Sequence, residues 1–151
     1  MKIKDIMNSN VISIDKNTSV LNTALIMQKY DIGFLPIVDN DDIIGVITDR
    51  DIVIRALINR IRTNVHASKY MSKDVISINQ DNTCEDALTL MKEKKIKRLL
   101  VTEKDNLVGI VSFSTIVKHI IDSNFVVESI KVIDKPLKKI DKEAKIDEFK
   151  L

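Results

Sequence analysis

Hydrophobic and polar residues follow one pattern along this chain, and the pattern occurs twice. Shifting the sequence by 64 positions aligns residues 5–53 with residues 69–117 without a gap. Agreement of the two segments over this length in one register indicates an internal repeat. The shift superposes VISI at 11–14 on VISI at 75–78, Met7 on Met71, Met27 on Met91 and Gly45 on Gly109.

Each copy predicts the element order β-α-β-β-α. The apolar segment VISI predicts a strand, and apolar residues three and four positions apart then predict one face of a helix. Two apolar runs joined by a polar tetrad predict a hairpin, which a second helix follows. The helix faces are Val20, Ala24 and Met27, then Cys84, Leu88 and Met91. The hairpin strands are 35–38 and 43–47, then 99–101 and 107–111. The candidate N-caps of the first helices are Thr18 or Ser19 and Asn82 or Thr83, and the second helices start near Thr48 and Ser112.

The predicted fold class is α/β, in the α+β sense, with two such units in one chain. A unit of about 60 residues buries too little surface to be stable alone. We therefore expect the two copies to pack sheet to sheet about a pseudo-twofold axis. The predicted division is a first repeat at 1–62, a second at 63–122 and a charged C-terminal tail at 123–151. The mixed charges of this tail are typical of a solvated segment.

Composition and charge argue against several classes of function. The chain is 44% hydrophobic and 30% charged, and its formal net charge of +2 gives no general reason to expect nucleic acid or membrane as partner. It has no apolar run of the roughly 18–20 residues that a membrane span needs, and its N-terminus lacks a signal-peptide core. With one cysteine, Cys84, an internal disulfide is excluded, and we expect a cytoplasmic protein.

The sequence offers little catalytic or metal chemistry. No glycine-rich phosphate loop, nucleophile elbow or pair of nucleophile and base is evident, so we do not expect an enzyme or a catalytic cofactor. His66 and His119 lack cysteine or carboxylate neighbours at metal-ligand spacing, so no metal site is predicted. Cys84 lies on an apolar helix face and is interpreted as a core residue.

The ordered set of motifs, present twice, resembles the CBS domain. It is carried by Met7 and Met71, by the two VISI strands and by LPIVDNDDIIGVITDRD at 35–51, whose counterpart at 99–115 is LLVTEKDNLVGIVSFST. The resemblance covers residues 1 to about 122. It implies a compact pair of domains, or Bateman module, that binds an adenosine-containing ligand and regulates a partner. It also implies dimerisation, for which the helices after Thr48 and Ser112 would supply the interface.

The two copies differ in charge where their hairpins end. Residues 45–51 read GVITDRD and residues 109–115 read GIVSFST. Thr48 and Asp51 lie on one face of the predicted helix start. A carboxylate there can accept hydrogen bonds from both ribose hydroxyls, each worth about 1.5–3 kcal/mol. These two residues match the ribose-binding threonine and aspartate of the family; the alternative is that Asp49 and Asp51 only favour the helix N-terminus.

A second charge difference falls at the start of the hairpins, where Lys97 and Arg98 correspond to Gly33 and Phe34. The resemblance implies that this basic pair reaches the phosphates of a ligand held by the opposite repeat, and Arg50 can add a contact. The alternative is a solvated lysine run. The competent cleft is therefore predicted to contain Thr48, Asp51, Arg50, Lys97 and Arg98, with Asp74, Val75 and Ile47 around the adenine. The degenerate cleft, with Ser112, Thr115, Gly33 and Phe34, is predicted to lack carboxylate and cation.

The leading hypothesis is a regulatory module that binds one adenine nucleotide (AMP, ADP or ATP), forms a homodimer and signals to an unknown partner. Three cations favour a phosphorylated ligand over S-adenosylmethionine, which stays an alternative. A second alternative is a structural interaction module without a physiological ligand. Nucleic-acid binding through the lysine-rich tail is disfavoured by near-neutral net charge and interleaved acids.

Overall fold

The computed structural model describes residues 1–59 and 62–120, and the predicted tail at 123–151 lies outside them. Within the described residues, two three-stranded sheets form. The first contains β1 (Ile14–Asp15), β2 (Phe34–Asp39) and β3 (Asp42–Thr48), and the second contains β4 (Ser77–Asn79), β5 (Arg98–Glu103) and β6 (Asn106–Ser112). The helices are α1 (Val20–Tyr30), α2 (Asp49–Asp51), which continues as a π-helical segment Ile52–Leu57, α3 (Cys84–Lys94) and α4 (Phe113–His119).

The two sheets have the same topology, which confirms the predicted repeat. In each sheet the middle strand pairs in parallel with the first strand and antiparallel with the third. Ile14 lies opposite Ile37, and the equivalent Ile78 lies opposite Val101. The opening strands begin later than predicted: the first starts at Ile14, the last residue of its VISI segment, and the second at Ser77, the third residue of its segment. Of the residues that precede these strands, Ile12, Val75 and Ile76 line the clefts described below.

Turns and helix starts follow from local chemistry. Both hairpins turn through residues with positive φ, Asn40 and Asp41 in one and Lys104 and Asp105 in the other. Positive φ at both central residues defines the type I′ turn, whose twist suits a two-residue hairpin. Of the candidate N-caps, Ser19 and Thr83 are the ones used, and each accepts a hydrogen bond from the backbone N–H three residues later.

The buried face of α1 differs from the prediction by one residue. Val20 and Met27 are buried, but Thr23 is fully buried while Ala24 is only partly so. The Thr23 hydroxyl donates to the carbonyl oxygen of Ser19 at 2.8 Å, which satisfies the group inside the helix and lets it enter the core. The predicted face of α3, with Cys84, Leu88 and Met91, is fully buried.

The opening segment of each repeat packs into the core of the other. Ile3 is fully buried among second-repeat side chains, and Ala67, which opens the second repeat, is fully buried in the first-repeat core. The backbone N–H of Ile3 donates to Asn82 at 2.9 Å, and that of Ala67 donates to Thr18 at 2.8 Å. This exchange joins the repeats and keeps their pseudo-twofold relation.

In each copy, the glycine of the third strand lies against the methionine in the opening segment of the other repeat. Met71 of the second repeat lies against Gly45, and Met7 of the first lies against Gly109. A Cβ atom built on either glycine would lie 2.5 Å from the facing sulfur. Beside the first contact, Val46 and Ser72 exchange backbone hydrogen bonds of 2.8 and 2.9 Å. Each glycine therefore permits a close approach between strand and opening segment.

Candidate functional site

The larger of two clefts between the repeats has a volume of about 1100 Å³. Its lining comes from β3 and the helix after it, from the segment before β4 and from the end of α3 with the start of β5. Seven of the eight residues predicted for the competent site line this cleft: Thr48, Arg50, Asp51, Asp74, Val75, Lys97 and Arg98. The structure thus brings together residues that are up to 50 positions apart in the chain.

Ile47 does not line this cleft, and its predicted role as a wall is wrong. Its side chain is fully buried in the first-repeat core. Successive side chains on a strand point to opposite faces, so Val46 and Thr48 face the cleft when Ile47 faces the core. The apolar wall consists of Val46 together with Phe34, Ile76 and Ile96.

Asp51 is held in place by the first turn of α2. Its Oδ2 accepts hydrogen bonds from the backbone N–H and the hydroxyl of Thr48, at 2.9 and 2.8 Å. The Asp51 N–H donates in return to the Thr48 hydroxyl oxygen at 3.2 Å. This reciprocal capping box fixes the carboxylate of Asp51, a residue that is only 8% exposed. The helix-start role that the sequence left as an alternative is therefore present in the structure.

Arg55 is a partner of Asp51 that the sequence analysis missed. Its Nε lies 3.3 Å from Asp51 Oδ1, and another of its nitrogens donates to the carbonyl of Tyr70 at 3.2 Å. The i, i+4 spacing of an acid and an arginine is the signal that would have found this pair. A carboxylate has about four acceptor positions, and Thr48 with Arg55 uses three of them. A ribose held by both hydroxyls would have to displace one of these contacts.

Positive charge dominates the lining of the larger cleft. Among the described residues, six basic side chains line it: Arg50, Lys73, Lys94, Lys95, Lys97 and Arg98. Three acidic side chains, Asp49, Asp51 and Asp74, accompany them. Sequence reasoning assigned Arg50, Lys97 and Arg98 to the site. It did not assign Lys73, Lys94 or Lys95, and it considered the lysines before Lys97 only under the alternative of a solvated run. All three side chains are exposed, and a single sequence does not reveal which exposed lysines border a cleft.

The smaller cleft, of about 260 Å³, contains all four residues predicted for the degenerate site. Ser112, Thr115, Gly33 and Phe34 line it together with Asn8, Asn10, Ile12, Asp31, Ile32, Arg98 and Ile110. The prediction that it lacks both carboxylate and cation is wrong, because Asp31 and Arg98 border it. Asp31 follows α1 in the left-handed conformation, with φ of 53°. The hydroxyls of Ser112 and Thr115 bond to each other at 2.8 Å.

The two clefts meet at a contact between Phe34 and Arg98. The guanidinium carbon lies 5.9 Å from the centre of the phenyl ring, within the range of a cation–π interaction. These residues are 64 positions apart and hence equivalent in the two repeats, so their contact lies where the repeats meet. Both residues line both clefts, together with Gly33.

Other chemistry-bearing residues lie apart from the clefts. Within residues 1–59 and 62–120, no three His, Cys, Asp or Glu side chains are grouped as metal ligands. His119 Nδ1 lies 2.8 Å from the carbonyl oxygen of Thr115, and His66 pairs with Ser19 through its backbone. Cys84 is fully buried, and desolvation raises the pKa of its thiol. In the same part of the chain, no helix has the length and apolar character to cross a membrane.

Comparisons with known proteins agree with the repeat architecture. The family model for the CBS domain matches residues 3–57 and again residues 67–122. Over 110 residues the chain is 33% identical to the CBS domain-containing protein YhcV of Bacillus subtilis, covering 73% of this chain and 79% of that protein. Over 136 residues it is 32% identical to Hypoxic response protein 1 of Mycobacterium tuberculosis, covering 89% of this chain and 94% of that protein.

Two solved structures have a fold similar to that of this chain. The CBS domain pair of protein MJ0100, in complex with 5′-methylthioadenosine and S-adenosyl-L-methionine, has a TM-score of 0.71 and 28% identity over 79% of this chain and 94% of that chain. A structure of Hypoxic Response Protein I with two coordinated zinc ions has a TM-score of 0.72 and 31% identity, covering 79% of this chain and 98% of that chain. These matches confirm the resemblance inferred from the sequence: the chain belongs to the CBS domain family and carries two tandem copies of the domain.

Proposed function

We propose that this chain is a regulatory module that binds an adenine nucleotide in the larger cleft. The observation that carries this proposal is the presence, in one cavity, of an acid and hydroxyl from the first repeat and a basic pair from the second. Asp51 and Thr48 provide the first set, and Lys97 and Arg98 provide the second. The complex of the MJ0100 domain pair with two adenosine derivatives supports an adenosine-containing ligand.

Asp51 is proposed to recognise the ribose. Its Oδ1 atom carries the acceptor position that Thr48 and Arg55 leave open. A hydroxyl that donates to a charged acceptor in a largely buried position gains about 1.5–3 kcal/mol. Recruiting the second ribose hydroxyl requires Arg55 to release Asp51, so ligand binding would also move the arginine away from its contact with Tyr70.

Phosphate recognition is proposed for Lys97, Arg98 and Arg50. Arginine offers several donors in a planar fork that matches phosphate oxygens, and Arg98 can keep its contact with Phe34 while donating. For the adenine we propose the apolar wall of Val46 and the backbone around Asp74 and Val75. The backbone N–H of Val75 donates to the carbonyl of Lys73 at 2.9 Å, a tight turn that orients this segment.

An S-adenosylmethionine-type ligand is a second candidate, favoured by the ligands in the MJ0100 complex. The cationic sulfur of such a ligand would need nearby acids, and Asp49 and Asp74 line the cleft. Six basic side chains around the same cavity oppose a cation, so we favour a phosphorylated ligand.

Calorimetry with adenosine, AMP, ATP and S-adenosylmethionine tests this function, using Asp51→Ala and a matched Asp86→Ala control. Asp86 makes an equivalent capping box with Thr83 at the start of α3, outside the larger cleft. Asp51→Ala is expected to weaken nucleotide binding about tenfold to a hundredfold, the equivalent of 1.5–3 kcal/mol, whereas Asp86→Ala leaves it unchanged. Equal affinity in both variants would remove Asp51 from the site. No binding of any adenosine compound by the wild-type protein would favour a purely structural module.

We also propose a homodimer formed through the first repeat. The apolar side chains that α1 and the following helix expose are Leu21, Leu25, Val53, Ile54, Leu57 and Ile58, at 42–72%. In the second repeat, the counterparts of Leu21, Leu25 and Ile54 are Glu85, Thr89 and Lys118. A twofold axis that joins two first repeats buries apolar surface on both sides, as an isologous interface requires. The regulated partner, the repeat boundaries at 62/63 and 122/123 and the cytoplasmic location stay predictions.

A further inference from the structure

We propose that the larger cleft distinguishes nucleotides by the length of their phosphate chain and prefers a nucleoside triphosphate to a monophosphate. The inference rests on the proposed function, since it concerns the same cavity, but it depends on different residues. These are Lys73, Lys94 and Lys95, which the comparison of the two repeats did not assign to the site.

The basic side chains of the cleft come from separate segments. Arg50 lies in the helix after β3, and Lys73 lies in the segment before β4. Lys94 is the last residue of α3 and Lys95 is its C-cap, and Lys97 directly precedes Arg98, the first residue of β5. A terminal phosphate is bound by a few donors around one point. Cations that three separate segments bring to one cavity can contact an extended anion at more than one of its phosphoryl groups.

The charge balance favours the same conclusion. Six basic and three acidic side chains among the described residues give the lining an excess of three positive charges. Asp51 is also paired with Arg55, which lies outside the lining, so its negative charge is already partly compensated. A phosphate monoester carries a charge of only about −1.5 to −2. A monophosphate would leave some cations uncompensated, and each further phosphoryl group would reduce that mutual repulsion.

The size of the cleft is compatible with a long ligand. Its volume of about 1100 Å³ exceeds the roughly 300–1000 Å³ that small-molecule sites usually occupy. The volume therefore does not restrict the ligand to a nucleoside with one phosphate. The competing explanation for Lys94 and Lys95 is that cations near the C-terminus of α3 stabilise its dipole. That role predicts lower helix stability on neutralisation, with no change in preference between nucleotides.

The test is isothermal titration of the full chain with adenosine, AMP, ADP and ATP, without divalent cations. The wild-type protein is expected to bind ATP at least about tenfold more tightly than AMP, with a steeper dependence of the ATP affinity on salt. In Lys73→Gln/Lys94→Gln the ratio of ATP to AMP affinity should fall below about threefold. The control is Lys118→Gln, which removes an exposed lysine of α4 outside both clefts and should keep the wild-type ratio.

The outcomes separate this inference from the proposed function. If AMP and ATP bind equally well to the wild-type chain, and Asp51→Ala weakens both, the phosphate preference is wrong and the nucleotide site stands. The preference is also wrong if Lys73→Gln/Lys94→Gln lowers stability but retains the wild-type ratio. If neither adenosine nor any nucleotide binds, the proposed function and this inference both fail.

Discussion

Replacing Gly45 with alanine would place a methyl group at one of the close contacts between the two repeats. The new Cβ would lie 2.5 Å from the sulfur of Met71 and 2.9 Å from the carbonyl oxygen of Ser72. The methionine can rotate away, but the Ser72 backbone is held by its reciprocal hydrogen bonds with Val46. Reaching an ordinary contact of 3.4 Å requires this segment to move by about 0.5 Å. The strain therefore falls on the contact that joins the repeats.

The expected net destabilisation is about 1–2 kcal/mol. Overfilling a packed site costs about 1–3 kcal/mol, whereas alanine lowers the entropy of the unfolded chain and returns about 0.4–1 kcal/mol. Gly45 has a negative φ, so alanine adds no backbone strain. Urea unfolding followed by circular dichroism would measure the loss as a lower midpoint with an unchanged slope.

Two further variants make this prediction specific. A Cβ at Gly33 would lie 2.6 Å from an oxygen of the exposed Asp49 side chain, which can rotate into solvent, so Gly33→Ala should stay within about 0.5 kcal/mol of the wild type. In a Met71→Ala background, Gly45→Ala should still be destabilising because the Ser72 carbonyl remains. If Gly45→Ala unfolds like the wild type, or if Gly33→Ala costs as much, the packing argument is refuted.

Three further predictions concern association, acid stability and thiol reactivity. Leu57 is 72% exposed, and Leu57→Glu should convert the dimer to a monomer in analytical ultracentrifugation. Thr89→Glu in the second repeat should leave the dimer intact, and a monomeric wild type would contradict the interface. Hydrogen bonds from Lys4 and Lys2 lower the pKa of Asp81 below its ordinary 3.8. The stability that these hydrogen bonds contribute is present above the unfolded-state pKa of Asp81 and is lost as pH falls through its lower folded-state pKa. Between neutral pH and about pH 3, the Asp81→Asn variant should therefore lose less stability than the wild type. The buried Cys84 thiol, whose raised pKa reflects desolvation, should react with a disulfide reagent only in denaturant; rapid labelling of the native chain would show that α3 opens.

Local elements could be read from the sequence because their causes lie within a few residues. The hairpin turns and the helix starts at Thr48 and Ser112 depend on hydrogen bonds and backbone preferences over three or four positions. The order of elements within each repeat followed from the same patterns. The error at Thr23 has a local cause as well, since its hydroxyl is satisfied within the helix and a polar residue can then occupy the buried face.

Comparison of the two copies supplied part of the candidate site, and the family resemblance supplied the rest. Comparing repeats identified Asp51 against Thr115, and Lys97 with Arg98 against Gly33 with Phe34. The comparison could also have marked Lys73, which corresponds to Ser9 in the first copy, but the sequence does not reveal that this position borders the cleft. The prediction that Ile47 lines the cleft was wrong because successive side chains alternate between the two faces of a strand, so a shift of one residue exchanges the core face for the cleft face.

By itself, the sequence determined the duplicated β-α-β-β-α pattern, the turns, the caps and an asymmetry of charge between two equivalent positions. Periodicity and short-range hydrogen bonding are sufficient for these features. Only the tertiary structure decided that Ile3 and Ala67 exchange cores, that Arg55 pairs with Asp51, and that Asp31 borders the smaller cleft. The core exchange and the cleft lining join residues distant in the chain, and the pairing of Arg55 depends on the exact path of one helix. Such positions are fixed when the repeats pack, because packing decides which side chains face a common space.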